Sequence, residues 1–454
     1  MKRIHFVGIG GIGMSALAQV SLSKGDIVSG SDIRMSNLTE SLSSQGARIS
    51  EKHTKEGVTA DLDLVVVSSS IKESNPELLS AREKGIETIT RSELLRRFME
   101  ESACAVAVTG THGKTTTSSL IAHIMEKAGK DPTIILGGEI ESIKGNAKYG
   151  SGGTLIAEVD ESDGHFRDIS SDLAVVTNVE REHIENYSGW NDLIKAYESF
   201  VSKISAEGTF IFNGEDMVIR DILPSVKADK ISFGMTGECD VTCKDPVFDK
   251  KIEFNIVVNG KDRGRIVSPL IGRYNIMNLL AGITVCIRKG ICMEDIISAA
   301  GSFRGAKRRF EEIGNINGIR VFEDYAHHPT EIKAVIMAAK KFSDGKVLVI
   351  FQPHRYSRTI DLMDDFSKSF EGADYLVLTD IYSADEETQY KITINDLYNR
   401  IDHKNFERIE LLKKDRIAGL VPDMVRKNDI ILILGAGDIR EIGSEIVENI
   451  KKMR

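Results

Sequence analysis

Cysteine is scarce in this sequence, and none of it is arranged in pairs. The five cysteines are odd in number and include no Cys-x-x-Cys pair. Disulfide frameworks and structural zinc sites need such pairs, so both are excluded, and we expect free thiols in a reducing compartment. The residues are Cys104, Cys239, Cys243, Cys286 and Cys292.

Long apolar runs are also missing. No stretch approaches the roughly 20 apolar residues that a transmembrane helix needs. Residues 1–8, Met-Lys-Arg-Ile-His-Phe-Val-Gly, are typical of a strand that enters a glycine turn. The sequence therefore predicts neither a transmembrane helix nor a signal peptide, and we expect a cytoplasmic protein.

Dense basic stretches are absent too. The chain has 59 lysines and arginines against 68 aspartates and glutamates, a net charge of -9. This balance argues against nucleic acids and membrane surfaces as partners and favours small molecules. There is no repeat of fixed period and no low-complexity tract. We expect a monomer or a weak homodimer.

Short apolar strands alternate with helical segments along the 454 residues. A chain of this length exceeds what one hydrophobic core usually organises, and the alternation predicts parallel sheets in an α/β fold. Boundaries are expected at residues 100–103 and at a basic, glycine-bearing joint in residues 303–310. The predicted domains are residues 1–102, 103–305 and 306–454.

The most informative stretch is residues 105–117, Ala-Val-Ala-Val-Thr-Gly-Thr-His-Gly-Lys-Thr-Thr-Thr. A buried strand should end at a glycine turn, and the helix after the turn should direct its N-terminal amides at an anion. We expect Lys114, as an exposed loop residue, to reach the outer phosphates of a nucleotide and the Thr115 hydroxyl to hold Mg²⁺. The general P-loop has four residues between its first glycine and the Gly-Lys pair, whereas here only two separate Gly110 from Gly113.

The sequence therefore predicts a variant phosphate loop for ATP, and the alternative is a strand-to-helix turn that binds nothing. The predicted ATP contacts in this loop are Gly110, Thr111, His112, Gly113, Lys114, Thr115 and Thr116.

A second glycine-rich turn lies near the N-terminus, in Gly-Ile-Gly-Gly-Ile-Gly followed by Met14. It follows a short strand and opens a helix, and Asp32 ends the next strand, where a ribose-binding acid is expected. The pattern predicts a diphosphate or dinucleotide site, with a tight turn in an α/β domain as the alternative. Its predicted ligand contacts are Gly8, Gly10, Gly11, Gly13, Met14 and Asp32.

Acidic residues close a predicted strand at residues 154–159, where the chain reads Glu-Val-Asp-Glu-Ser-Asp from Glu158 to Asp163. The strand at 173–177 ends in a motif that closes with His183. Magnesium prefers carboxylate and water oxygens, and ligands of open α/β sheets bind at the carboxyl ends of the strands. The sequence predicts a magnesium site here; the alternatives are a solvated acidic loop and an ordinary histidine.

Three further motifs carry polar side chains. Gly-Arg-Tyr-Asn-Ile-Met-Asn opens a helix and places Asn275 and Asn278 one turn apart, and helix capping explains only one of them. In the last third, Asp-Tyr-Ala-His-His-Pro begins at Asp324, and Gln-Pro-His-Arg-Tyr-Ser-Arg ends at Arg358. Both follow predicted strands, at the edge where a ligand crevice forms.

Taken in order, these motifs resemble those of the Mur ligases of bacterial peptidoglycan synthesis. The resemblance runs nearly end to end and includes Lys-Arg-Arg-Phe after Ala306, Leu-Gly-Ala-Gly-Asp after Ile433, and the two-residue gap of the phosphate loop. It implies an N-terminal Rossmann-like domain for a UDP-sugar, a central P-loop ATPase-type domain with a mostly parallel sheet, and a C-terminal Rossmann-like domain that closes over ATP and an amino acid.

The resemblance also implies a reaction. The lactyl carboxylate of UDP-N-acetylmuramate attacks ATP, with Mg²⁺ present, and the amine of L-alanine displaces the resulting acyl phosphate. Lys114, Glu158, His183 and Arg309 would be catalytic. Thr115 and Glu158 would hold one magnesium and His183 would belong to a second site.

The remaining roles that the resemblance implies concern ATP and the amino acid. Asn275 and Asn278 would contact adenine or its surroundings, Arg309 the phosphates, and Asp324 the ribose. The alanine pocket would consist of Tyr325, His354, Arg355 and Arg358. Some Mur ligases use a carbamylated lysine on the helix after the histidine motif, and here Lys195 and Glu198 are both open candidates.

Three other functions stay open from the sequence. The first glycine motif alone would fit a dinucleotide-dependent oxidoreductase, which leaves Lys114, Glu158 and His183 unexplained. A P-loop regulatory or transport NTPase would leave the first motif unexplained. Within the family, a ligase that joins a recycled peptide to the same sugar nucleotide is the nearest alternative.

Overall fold

Three sheets form the framework of the protein. The structure, a computed structural model, describes residues 1–162, 164–182, 186–384, 386 and 391–452. The first compact unit comprises residues 1–245, 254–266 and 277–303. The second comprises residues 246–253, 267–276 and 304–454.

The N-terminal sheet has five strands in the order β3-β2-β1-β4-β5, and every neighbouring pair is parallel. Its elements are β1 (Arg3–Val7), α1 (Ile12–Ser23), β2 (Ile27–Ser31), α2 (Asn37–Ser44), β3 (Arg48–Ser50), β4 (Leu64–Val67), α3 (Pro76–Glu83), β5 (Thr88–Thr90) and α4 (Arg91–Glu101).

Successive residues of the central strands face opposite sides of this sheet, and both sides are buried. Phe6 and Val66 join the main core of the first unit, whereas Val7 and Val65 pack in a smaller cluster on the other face. A parallel sheet covered on both faces needs such continuous apolar strands. The strand order, with helices between strands, confirms the predicted Rossmann-like topology.

The central sheet has ten strands in the order β15-β14-β13-β12-β11-β10-β6-β9-β7-β8. Its pairs from β13 to β7 are parallel, and β7 pairs with β8 antiparallel. The strands are β6 (Cys104–Thr109), β7 (Thr133–Ile140), β8 (Gly145–Lys148), β9 (Thr154–Glu158), β10 (Ser171–Val176), β11 (Ile204–Asn213), β12 (Asp229–Phe233), β13 (Val241–Phe248), β14 (Ile252–Val258) and β15 (Lys261–Ser268). The helices are α5 (Lys114–Lys127), α6 (Trp190–Ser202), α7 (Met217–Ile222), α8 (Tyr274–Arg288) and α9 (Met293–Ser302).

Two amide side chains join the N-terminal domain to the edge of the central sheet. Gln19 Nε2 donates a hydrogen bond to the Ala147 carbonyl at 3.0 Å, and Asn146 Nδ2 donates to the Ile12 carbonyl at 2.9 Å. Asn146 is buried, and one hydrophobic core runs through both domains. The two sheets therefore belong to one compact unit.

The C-terminal sheet has six strands in the order β16-β17-β21-β18-β19-β20, parallel except for the β16–β17 pair. Its strands are β16 (Glu311–Ile316), β17 (Ile319–Asp324), β18 (Val347–Phe351), β19 (Tyr375–Leu378), β20 (Arg408–Leu411) and β21 (Ile430–Leu434). Its helices are α10 (Pro329–Phe342), α11 (Tyr356–Asp361), α12 (Met363–Ser367), α13 (Ile394–Arg400), α14 (Lys414–Met424) and α15 (Gly443–Lys451).

Single 3-10 turns complete the described secondary structure, at Lys55–Gly57, Glu141–Ile143, His165–Asp168, Leu223–Ser225, His403–Asn405 and Asp438–Ile442. All five cysteines are free thiols, as expected from their spacing. In the described part of the chain, every helix is too short or too polar to cross a lipid bilayer.

Candidate active site

The phosphate loop joins β6 to α5. At two of its positions, Gly110 and Gly113, the backbone conformation and the nearby side chains require glycine. Gly110 has φ 126° and Gly113 has φ 82°, a region of backbone space that favours glycine. A Cβ atom at Gly110 would lie 2.3 Å from Thr177 Oγ1, and one at Gly113 would lie 2.2 Å from Asn278 Oδ1. The chain therefore turns tightly here and directs the N-terminus of α5 at the loop, where backbone amides favour an anion.

Residues after β10 hold the loop in this shape. Thr177 Oγ1 and Asn178 Nδ2 donate to the His112 carbonyl at 2.6 and 3.0 Å, and the His112 amide donates to Asn178 Oδ1 at 2.8 Å. The amide of Glu180 donates to Thr111 Oγ1 at 2.8 Å. No function was predicted for Thr177 and Asn178 from the sequence. The signal that could have identified them was their place at the carboxyl end of a strand adjacent to β6.

Lys114 is not the exposed loop residue that we expected. Its side chain is 14% exposed and forms an ion pair with Glu161, whose side chain is 2% exposed. Burial favours the neutral amine, but the negative charges of Glu161, Asp160 and Glu158 outweigh it and raise the pKa of Lys114. The lysine is therefore a mostly buried cation, and its counter-ion lies in the acidic motif in which the sequence predicted a magnesium site.

The predicted magnesium ligands Thr115 and Glu158 lie in the first unit and offer the oxygen atoms that this ion prefers. Thr115 is buried in the first turn of α5. Glu158 ends β9, and its Oε2 accepts the Gly137 amide at 3.0 Å. Within the described residues, Oε1 of Glu158 accepts no hydrogen bond, so it fits a metal ligand. His183, the third predicted ligand, lies outside the described residues.

The N-terminal glycine motif is pinned by the end of β2. The amides of Gly8 and Ile9 donate to the Ser31 carbonyl at 2.9 and 3.0 Å, and the Gly10 amide donates to Asp32 Oδ2 at 2.8 Å. The Asp32 carboxylate therefore fixes the backbone of the glycine loop through its hydrogen bond with Gly10. Met14 is a core residue, so only its backbone can face a ligand at this turn.

Arg91 links this motif to the acidic motif of the central domain, and sequence reasoning missed it. A Cβ atom at Gly13 would lie 3.1 Å from Arg91 Nη1, and Arg91 Nη2 lies 3.9 Å from Asp160 Oδ2. Arg91 is the first residue of α4, directly after β5. Its position at the carboxyl end of a parallel strand was the signal that could have identified it.

In the C-terminal unit, Asp324 lies buried at the end of β17. Its Oδ2 accepts the Phe310 amide and its Oδ1 accepts the Ala326 amide, both at 2.7 Å. Burial raises the pKa of Asp324 to about 6, against the opposing charge of Arg309. The carboxylate is held between two backbone segments.

Arginines and aromatic rings surround this carboxylate. The guanidinium carbons of Arg308 and Arg309 lie 4.7 and 5.2 Å from the Tyr325 ring centroid, and Arg309 Nη1 lies 3.9 Å from Glu331 Oε1. Burial, and then the charge of Asp324, raises the pKa of Tyr274. Tyr274 was not predicted as a site residue.

Asn275 and Asn278, predicted to act together, have different partners. Asn275 Nδ2 donates to the Ile271 carbonyl at 2.8 Å. Asn278 Oδ1 accepts from Thr117 Oγ1 at 3.4 Å and limits the space at Gly113. Asn278 therefore supports the phosphate loop directly.

His354, Arg355 and Arg358, which were predicted to bind alanine, lie close together after β18. Arg358 is buried, and its Nη1 donates to the His354 carbonyl at 3.2 Å and to His354 Nδ1 at 3.3 Å. The His354 ring stacks on Tyr382 with centroids 5.5 Å apart, and the Arg355 amide donates to the Tyr382 carbonyl at 2.8 Å. Burial, and then the charges of His327 and Arg358, lowers the pKa of His354 to about 3. The imidazole is therefore neutral at physiological pH.

Two ring contacts of His327 connect the residues around His354 to Tyr325, whose ring lies beside Arg308 and Arg309. The His327 ring lies 5.2 Å from the Tyr325 ring and 6.0 Å from the His354 ring, centroid to centroid. Tyr325, His354 and Arg358 thus belong to one cluster at the carboxyl edge of the sheet. Arg355 immediately precedes α11 as its N-cap residue, with φ 73°.

These features define a class of protein: an α/β protein with a variant P-loop, a second glycine-rich loop at the end of a parallel strand, and a cluster with two arginines on a third sheet. Sequence profiles give the family. Residues 3–103 match "Mur ligase family, catalytic domain", residues 108–286 match "Mur ligase middle domain", and residues 308–437 match "Mur ligase, glutamate ligase domain". The chain belongs to the Mur ligase family.

Similar proteins cover the whole chain. It is 41% identical to the UDP-N-acetylmuramate--L-alanine ligase of Geotalea daltonii, over 100% of this chain and 99% of that protein. It is 41% identical to the ligase of the same name from Geobacter sp., over 99% and 98%. Among solved structures, UDP-N-acetylmuramate-alanine ligase from Thermotoga maritima is 28% identical, with a TM-score of 0.83 and 99% of both chains covered. A murein peptide ligase from Psychrobacter arcticus, 23% identical, shares the fold, with a TM-score of 0.74 and full coverage of both chains.

Proposed function

We propose that this chain is an ATP-dependent ligase that joins the lactyl carboxylate of UDP-N-acetylmuramate to the amine of L-alanine in peptidoglycan precursor synthesis. The observation that carries the proposal is full-length similarity, at 41% identity, to ligases named for this reaction. The phosphate loop with Lys114 supplies the matching chemistry. An amine cannot displace an oxygen of a carboxylate until that oxygen has been converted into a leaving group.

The reaction has two steps. A lactyl carboxylate oxygen attacks the γ-phosphorus of ATP, the bond to the bridging oxygen breaks, and ADP leaves as an acyl phosphate forms. The alanine amine then attacks the acyl carbon, and phosphate leaves from a tetrahedral intermediate. Carboxylate and triphosphate repel each other, so Lys114 at the N-terminus of α5 contributes mainly by neutralising charge and positioning the reactants.

Magnesium is proposed as the second source of positive charge. The Thr115 hydroxyl and the Glu158 carboxylate would hold it, because both offer oxygen ligands beside the phosphate loop. Bound there, the ion would neutralise charge on the phosphates. His183 is proposed for a second metal site.

Binding of the other groups is assigned from the same resemblance. We assign the UDP diphosphate to Gly8, Gly10, Gly11 and Gly13, with Asp32 and the backbone of Met14. The remaining ATP contacts are assigned to Asn275, Asn278, Arg309 and Asp324. The alanine carboxylate is assigned to the arginines of the His354 pocket, because a guanidinium pairs with a carboxylate through two parallel hydrogen bonds. Tyr325 and His354 would line that pocket.

We further propose that the protein acts in the cytoplasm as a monomer or weak homodimer, with functional domains at residues 1–102, 103–305 and 306–454. All five cysteines are free, which suits a reducing compartment. Lys195 and Glu198 lie on α6, and neither is assigned a catalytic role.

Phosphate release in the presence of ATP, Mg²⁺ and UDP-N-acetylmuramate tests the proposal, with the amine substrate varied. Release should require all components and should be fastest with L-alanine, and mass spectrometry should detect the amide product. Faster release with an L-alanine-initiated tripeptide would identify a peptide ligase instead. Hydrolysis of ATP without the sugar nucleotide would indicate a regulatory NTPase, and binding of a nicotinamide dinucleotide would revive the oxidoreductase hypothesis.

A further inference from the structure

Lys114 has no hydrogen-bond donor to spare in this structure. Its ammonium group lies 2.8 and 2.9 Å from the two carboxylate oxygens of Glu161, 2.7 Å from the Gly110 carbonyl and 3.2 Å from the Thr111 carbonyl. An ammonium has three N–H donors, and here it faces four acceptors. A phosphate group can bind this lysine only by displacing one of them.

Glu161 is fixed in place by its backbone. The Tyr187 hydroxyl and the Gly164 amide both donate to the Glu161 carbonyl. Tyr187 is itself buried, so the segment that carries Glu161 is anchored from the inside. The glutamate therefore cannot follow the lysine far when the lysine turns toward a ligand.

The neighbouring acids are engaged elsewhere. Glu158 accepts the Gly137 amide, and Asp160 is 39% exposed and lies 3.9 Å from Arg91. Of these three carboxylates, Glu161 is the one that lies within hydrogen-bond distance of the Lys114 ammonium among the described residues. Removal of its charge should therefore affect the lysine more than removal of the exposed charge of Asp160.

We propose that Glu161 is a positioning residue for the ligation reaction. Its carboxylate holds Lys114 in the phosphate loop until the nucleotide phosphates displace the carboxylate from the lysine. The proposal rests on the proposed function, because it takes Lys114 as a ligand of those phosphates. Each nucleotide that binds must break the contact between Lys114 and Glu161. The pair therefore lowers nucleotide affinity, since the loop is competent to bind only in the fraction of molecules in which Lys114 is released.

The test is the affinity for ADP, measured by calorimetry with the full chain in EDTA, so that bound metal cannot contribute. Glu161→Gln should bind ADP at least tenfold more tightly than wild type. Asp160→Asn removes an adjacent charge and is the matched control; its affinity should stay within twofold of wild type. Lys114→Ala should bind more weakly.

A merely structural role for Glu161 predicts the opposite sign, because a loosened phosphate loop would bind ADP less tightly. Unchanged or weaker binding by Glu161→Gln, with weaker binding by Lys114→Ala, overturns this proposal and leaves the role of Lys114 in place. Unchanged ADP binding by Lys114→Ala overturns both this proposal and the assignment of Lys114 as a phosphate ligand. Glu161→Asp keeps the charge but retracts it by one methylene group, and it serves as the test if Glu161→Gln does not fold. Severalfold tighter ADP binding by Glu161→Asp is then the expected result, and unchanged binding refutes the proposal.

Discussion

At the scale of single residues, the phosphate loop contains an ion pair between Lys114 and the buried carboxylate of Glu161. Lys114 was predicted from its motif, and its ion pair with Glu161 was not. The acidic motif contains four carboxylates within six residues, and nothing in their spacing tells which one turns inward. Burial and the contacts of Tyr187 decide that, and both arise from tertiary packing.

We expect Lys114→Ala to abolish ligation and to destabilise the fold by about 3 kcal/mol, because it leaves the buried Glu161 carboxylate without its counter-ion. Denaturant unfolding should show that the double variant Lys114→Ala/Glu161→Ala recovers much of this loss. Lys148→Ala, which removes more exposed ion pairs with Glu126 and Asp131, is the control and should change stability by less than about 1 kcal/mol. Ligation by Lys114→Ala within tenfold of wild type would contradict the assignment.

Asp324 should give a pH dependence of stability. Its pKa rises from the ordinary 3.8 to about 6 on folding, so the folded state holds the proton more tightly than the unfolded state. The stability that this provides is fully present below pH 4 and is lost as the pH rises through 6, in total about 3 kcal/mol. The unfolding free energy of wild type relative to Asp324→Asn should fall by most of that amount between pH 4 and 7, because the unfolded carboxyl is already partly ionised at pH 4. A difference that is constant over this range would show that the group titrates normally.

At the scale of elements, the strands that follow strong apolar runs were predicted with nearly their observed bounds. The sequence predicts strands at residues 27–31, 319–324 and 430–434, and β2, β17 and β21 have these limits. The sequence also predicts a helix over residues 363–370, and this prediction is wrong in length, since α12 ends at Ser367. Strands β13 to β15 were missed, because their alternating polar residues resemble those of loops.

Helix α6 contains a buried hydroxyl group that has no hydrogen-bond partner in the described structure. The group belongs to Tyr197, whose ring packs edge-on against Phe166. Tyr197→Phe should leave stability unchanged or raise it by about 1 kcal/mol, because it removes an unsatisfied polar group and keeps the ring. Tyr187→Phe, which removes the donor to the Glu161 carbonyl, is the matched control and should lower stability by about 1 kcal/mol. Urea unfolding measures both, and a loss of more than 1 kcal/mol in Tyr197→Phe would assign that hydroxyl a partner.

At the scale of the whole molecule, the alternation of strands and helices predicted the α/β class and the mostly parallel sheets, and both are confirmed. The union of the first two sheets in one compact unit could not be predicted. It depends on side chains such as Asn146 and Gln19, whose partners lie more than a hundred residues away in sequence. No local pattern encodes such a contact.

This union should be visible in thermal unfolding. The single tryptophan, Trp190, reports on the central domain, whereas the proposed UDP loop lies in the N-terminal domain. If the two domains unfold together, UDP at about 100 times its dissociation constant should stabilise both by about 2.7 kcal/mol and raise the Trp190 fluorescence midpoint. Asn146→Ala should weaken this transmission. The domains would unfold independently if UDP left the Trp190 fluorescence midpoint unchanged while part of the circular dichroism signal unfolded at a higher temperature.

The ion pair between Lys114 and Glu161 has a consequence for selectivity in a crowded solution of anions. A phosphate-binding loop with an uncommitted lysine would attract inorganic phosphate and sulfate as readily as the phosphates of a nucleotide. Because Lys114 is already neutralised, a small anion with one or two charges gains little by displacing Glu161, whereas a nucleotide also gains contacts along its whole length. Competition by inorganic phosphate should therefore be weak in the wild-type enzyme and stronger in Glu161→Gln, so that the glutamate reserves the loop for the larger ligand.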